Sequence, residues 1–98
     1  KNREGIEFLN TLEEIIRKRK KEMPEGSYTT KLFKKGVNKI AKKLGEEAVE
    51  LVIEAKDNND ELFLNEAADL LYHLEVLLVE RGKTMKEVTA VLKERHRK

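Results

Sequence analysis

The stretch Leu62-Phe63-Leu64-Asn65-Glu66-Ala67-Ala68-Asp69-Leu70-Leu71-Tyr72-His73-Leu74-Glu75-Val76-Leu77-Leu78-Val79 decides the fold. At 100° per residue, Phe63, Leu64, Ala67, Ala68, Leu70, Leu71, Tyr72, Leu74, Val76, Leu77, Leu78 and Val79 surround most of a helix's circumference. A helix apolar nearly all round must be buried nearly all round, and a chain of 98 residues has little core to do it with. Such a helix therefore predicts a homo-oligomer, most simply a homodimer that shares it.

Working outward, helical spacing continues on both sides. Toward the N-terminus, Val37, Ile40, Ala41, Leu44, Ala48, Leu51, Val52 and Ala55 form one apolar face of a helix from about Val37 to Lys56. Val49 and Ile53 fall on its opposite side, so burial on two faces is expected. Asp57-Asn58-Asn59-Asp60 is a polar turn, with Asp60 as the expected cap of the helix that runs on to about Arg81. Earlier still, a helix from about Gly5 to Glu22 carries Ile6, Leu9, Leu12, Ile15 and Ile16. Pro24-Glu25-Gly26 breaks it, Ser27 caps a short helix through Phe33, and Gly36 interrupts again. Beyond Gly82, which suits a left-handed C-terminal position, Thr84 and Glu87 have capping-box spacing and open a last helix toward Arg95. The reading is one all-α domain over residues 1–98, a bundle of four to five helices whose core is completed by homodimerisation.

Composition narrows the function. There is no cysteine, which excludes disulfides, thiolate metal sites and a cysteine nucleophile together. Charged residues make up 41% of the chain while the net charge is only +2, a mixture that argues against nucleic acid as partner. No run approaches the roughly 20 apolar residues that span a bilayer, and no signal-peptide pattern opens the chain. A cytoplasmic protein with no membrane partner is expected.

What interrupts the two apolar helices is informative. Glu66, Asp69 and His73 project within roughly 60° of one another as a polar stripe. Glu47 and Glu50 are likewise three apart. Reflection about Asn58 sets Glu47 opposite Asp69 and Glu50 opposite Glu66, so an antiparallel hairpin would bring four carboxylates to one level. Gathered inside a fold, such acids repel and raise one another's pKa values, a cost that a divalent cation removes. Oxygen ligands without thiolate suit Mg2+, or Mn2+, and magnesium in turn favours phosphate oxygens, so a phosphorylated small molecule is the expected substrate. The alternative for these acids is a solvated face paired with Lys42, Lys43 and Arg81. His73 reads as a hydrogen-bond partner to one of the acids rather than as a metal ligand.

Upstream, Ser27-Tyr28-Thr29-Thr30-Lys31-Leu32-Phe33-Lys34-Lys35-Gly36 leads through Lys39, Lys42 and Lys43 into the acidic helix. Hydroxyls at a helix N-terminus together with lysines can hold phosphate oxygens, although any single lysine can equally be a solvated surface charge. Mid-helix Gly45 costs roughly 1 kcal/mol relative to alanine and either permits a close approach or has no role.

Ser27 to Phe33, then Lys43-Leu44-Gly45-Glu46-Glu47-Ala48-Val49-Glu50, then Asn65-Glu66-Ala67-Ala68-Asp69-Leu70-Leu71-Tyr72-His73 resemble the phosphoribosyl-ATP pyrophosphohydrolase family. That family is a branch of the all-α nucleoside triphosphate pyrophosphatases, whose general mark is Glu-x-x-Glu followed by Glu-x-x-Asp. The likeness runs from about Leu9 to His96. It implies Mg-dependent hydrolysis of phosphoribosyl-ATP to phosphoribosyl-AMP and pyrophosphate, the second step of histidine biosynthesis. By motif position, Glu47, Glu50, Glu66 and Asp69 would hold the metal, and Glu46 with Glu47 would serve the catalytic step. Ser27, Tyr28, Thr29, Lys31, Lys34, Lys39, Lys43 and His73 would bind the nucleotide. In many organisms the family's domain is fused to a zinc-dependent cyclohydrolase, for which this sequence has no cysteines, so a stand-alone form is expected. Two readings stay open beside it: a housekeeping pyrophosphatase of the same fold acting on another nucleoside triphosphate, and a non-enzymatic helical dimerisation module.

Overall fold

The computed structural model describes residues 3–97, and all regular structure within them is α-helical. Five helices follow in order: α1 (Arg3–Glu22), α2 (Tyr28–Lys35), α3 (Val37–Ala55), α4 (Asp60–Glu80) and α5 (Met85–Arg95). α1 ends in Arg19, Lys20 and Lys21, cations that suit the negative end of the helix dipole. Met23 and Gly26, at φ 50° and 82°, turn the chain around Pro24. Ser27 then caps α2, its Oγ accepting from the Thr30 N–H at 3.2 Å. α2 runs two residues beyond the expected Phe33, because the Gly36 N–H still donates to the Leu32 carbonyl at 3.1 Å. Gly36, at φ 92°, then sends α3 off in a new direction.

α3 and α4 form the most extensive helix pair, an antiparallel hairpin reversed through residues 56–59. The cap of α4 is Asn59 and not Asp60: the Asn59 side chain accepts from the Leu62 N–H at 3.0 Å, and Asp60 is already helical. Both residue types cap well, and the one whose backbone is still extended does so. At the other end the φ of 72° at Gly82 releases the chain, and Thr84 with Glu87 forms the expected capping box of α5.

Ile16, Leu32, Phe33, Ile40, Val76 and Val79 make the core where α1, α2, α3 and α4 meet. α5 buries no residue and is tied in partly through the Met85 N–H, which donates to Glu13 Oε1 at 2.9 Å. Burial of α3 and α4 within one chain is incomplete: Val49, Val52 and Ile53 on α3 and Leu62, Leu64 and Leu71 on α4 are exposed. Helical phase turns Val49, Val52 and Ile53 away from the core residue Ile40, while Leu62 and Leu64 lie at the opposite end of α4 from Val76 and Val79, so the expected two-faced and all-round burial does not occur within a single chain. Around Gly45 there is open space, since a Cβ built there meets nothing within 4 Å, and no close approach accounts for this glycine.

Candidate active site

The hairpin brings three of the four expected carboxylates together. One carboxylate oxygen each from Glu47, Glu66 and Asp69 lie within 4.8 Å of one another. Glu50 is exposed and outside that trio, but it adjoins Glu66 closely enough to share a hydrogen bond with it. Burial first, then hydrogen bonding of the protonated Glu66 carboxyl toward Glu50 and Glu47, then their charge push it up to about 7. Glu47 Oε1 and Glu66 Oε1 are buried with no hydrogen-bond partner. Acceptors left unpaired beside like charge need either protons or a cation, and an all-oxygen donor set fits a hard divalent ion. Glu46 stands outside the trio, half exposed and paired with Lys43 at 3.6 Å.

Lys43 links this cluster to a second feature, because its ammonium also lies 3.9 Å from Glu47. It also lines a cleft of about 210 Å³ between α2 and α3, together with Tyr28, Lys31, Leu32, Lys35 and Lys39. Lys31, Lys35 and Lys39 make no ion pair among the described residues, so the cleft is strongly cationic. Lys34 does not line it; Lys35 does, and sequence reasoning passed over Lys35. The available signal was the pair of i,i+4 spacings, Lys31 with Lys35 and Lys39 with Lys43, on either side of Gly36.

The hydroxyls and the histidine are engaged within the fold. Ser27 Oγ serves the helix cap, and Thr29 Oγ1 is hydrogen-bonded to the Tyr72 hydroxyl. His73, 5% exposed, meets the Asp69 backbone carbonyl through Nδ1 at 2.8 Å and the Tyr28 hydroxyl through Nε2 at 3.0 Å. Its partner on α4 is thus a main-chain oxygen and not the carboxylate that the sequence suggested. The Asp69 carbonyl lies four residues back along the same helix, within direct reach of the ring, while the Asp69 and Glu66 carboxylates gather with Glu47. Tyr28, Tyr72 and His73 pack as an aromatic group, with ring centroids 5.0–6.2 Å apart. A larger groove of about 720 Å³ between α1 and α5 contains none of these residues.

Residues 9–96 match the family described as phosphoribosyl-ATP pyrophosphohydrolase. The chain belongs to the phosphoribosyl-ATP pyrophosphohydrolase family. It is 50% identical over 91 residues to the phosphoribosyl-ATP pyrophosphatase of Leptospira biflexa, covering 93% of this chain and 99% of that one. The corresponding protein of Streptococcus gordonii is 54% identical over 91 residues, 93% of this chain and 88% of its own length. The histidine biosynthesis bifunctional protein HisIE of Bacteroides thetaiotaomicron is 52% identical over 96 residues, which are 98% of this chain and 47% of the relative. The chain therefore spans about half the length of its bifunctional relatives and nearly all of the shorter ones. No helix among the described residues is long and apolar enough to cross a membrane.

Proposed function

We propose that the chain hydrolyses phosphoribosyl-ATP at the α–β phosphoanhydride, giving phosphoribosyl-AMP and pyrophosphate in histidine biosynthesis. The observation that carries this reading is the meeting of Glu47, Glu66 and Asp69 beside a lysine-lined cleft, in a chain of this family. Glu47, Glu66 and Asp69, with Glu50 adjoining, would hold Mg2+. When bound, the ion supplies Lewis acidity toward phosphate oxygens and lowers the pKa of water. The chain's own residues do the rest. Lys31, Lys39 and Lys43 bind phosphate oxygens and offset charge that builds up as pyrophosphate leaves. Water's oxygen bonds to the α-phosphorus, the bridging P–O bond breaks, and a carboxylate takes the water proton. Glu47, inside the cluster, is the better placed acceptor, while Glu46 on the same turn stands outside it.

The exposed apolar residues of α3 and α4 give the same proposal a quaternary side. Val49, Val52, Ile53 and Leu64 are left exposed on the hairpin that carries the acids, and a second copy of the chain is the partner proposed to cover them. A single unit working as a cytoplasmic homodimer goes with this reading.

The test is pyrophosphate release from phosphoribosyl-ATP with Mg2+, alongside a panel of nucleoside triphosphates. Release confined to phosphoribosyl-ATP, stopped by chelator and by Glu66→Gln, is the expected result. Release only from another triphosphate would transfer the chain to a housekeeping role, and release from none would remove the enzymatic reading.

A further inference from the structure

Tyr28 is held in an unusual way for a residue at a binding cleft. The Asp69 carbonyl can only accept, so His73 Nδ1 carries the proton, and the lone pair on Nε2 accepts from the Tyr28 hydroxyl. The polar end of Tyr28 is thereby spent on a buried imidazole, itself fixed to the backbone of α4. Tyr72 packs on the Tyr28 ring at 6.2 Å and is in turn held by Thr29. Yet Tyr28 remains 47% exposed, and it lines the cleft whose other walls are four lysines and Leu32. With its hydroxyl proton already given to His73, Tyr28 has no donor left for a ligand and offers chiefly the face of its ring. Four ammonium groups around that ring call for phosphate, and a π-face beside phosphate sites suits a nucleobase.

Resting on the proposed reaction, we propose that Tyr28 is the wall on which the purine of the substrate stacks, that Lys35 joins the other cleft lysines in holding its phosphate oxygens, and that His73 is a positioning residue acting through Tyr28. His73 does not touch the nucleotide. It fixes the plane of the ring, so that stacking requires little reordering of the side chain. This accounts for a buried histidine whose two nitrogens both point into the fold rather than toward the carboxylates.

Calorimetric titration of the whole chain in chelator, with AMP and with ribose 5-phosphate as probes, isolates the base contribution without turnover. AMP is expected to bind on the order of 10- to 100-fold more tightly than ribose 5-phosphate, the range of one base on one aromatic ring. Tyr28→Leu should erase that difference, and Tyr28→Phe should keep most of it. In steady-state assays Tyr28→Leu should raise KM while kcat changes little. His73→Phe should weaken AMP binding in the wild-type background and add nothing in a Tyr28→Phe background, which a general folding defect would not do. Equal affinities for the two probes in the wild type, an unchanged ratio in Tyr28→Leu, or full additivity of His73→Phe with Tyr28→Phe would each overturn the proposal. An intact probe ratio without pyrophosphate release would instead remove the proposed reaction and leave the base wall standing.

Discussion

Glu75 is fully buried on α4, and neither of its carboxylate oxygens has a hydrogen-bond partner. Burial first, and the charge of Glu13 second, push its carboxyl from the usual carboxylate range up to about 7. A folded-state pKa raised above the unfolded one means that the proton favours the fold. The contribution of Glu75 to stability is then fully present below about 4.5, is lost as pH rises to about 7, and is level above that. Glu75→Gln mimics the protonated form. It should match the wild type near the acid end of that window and exceed it by on the order of 1–3 kcal/mol at pH 8, measured by urea unfolding across pH. An offset that does not vary with pH would mean that Glu75 ionises freely in the fold. At the acid cluster, Glu66→Gln should have opposite consequences with and without cation. In chelator it relieves like-charge crowding, and its melting temperature should equal or exceed that of the wild type. Added Mg2+ should raise the wild-type melting temperature but not the variant's. Of these residues the cluster was legible in the sequence, because a period of 3.6 and a turn centred on Asn58 fix which acids share a level. Glu75 was hidden in the same helix, since its burial depends on how α1 closes over it.

Among the elements, α3 and α4 illustrate what local chemistry settles. Gly45 lies mid-helix with open space around its α-carbon, so Gly45→Ala should stabilise the chain by roughly 0.5–1 kcal/mol in thermal melts. If activity falls while stability rises, the bare backbone at Gly45 serves the substrate or a second chain. Asn59→Ala should cost about 1 kcal/mol by loss of the side-chain cap, and more than Asp60→Ala, whose carboxylate acts only through the helix dipole. The cap of α5 and the stop at Gly82 were readable because their chemistry is confined to a few consecutive residues. Asn59 against Asp60, and Lys34 against Lys35, were not. In each pair both residues suit the role, and the choice follows from where φ leaves the helical region or from how Leu32 and Phe33 seat α2 in the core.

Over the whole molecule, the balance of buried and exposed apolar surface is the dominant quantity. Among the described residues six apolar side chains form the buried core, while Val49, Val52, Ile53, Leu62 and Leu64 lie open on the hairpin. A chain of 98 residues with so small a core is marginal by itself. The proposed dimer therefore predicts a melting temperature that falls on dilution. Val52→Glu with Leu64→Glu should shift sedimentation to the monomer and lower the melting temperature further. A wild type that sediments as a monomer at high concentration would remove the proposed partner surface.

By itself the sequence determined the helical class, the order of the five elements, the level at which the acids meet and the family. All of these depend on period, spacing and short-range caps. Tertiary structure alone decided which lysines share a cleft, that His73 turns its nitrogens to a backbone carbonyl and to Tyr28, and that Glu75 is sealed beside Glu13. Those outcomes depend on the rotational phase of one helix against another. That phase is set by how a few core side chains interlock, not by the spacing of residues along the chain.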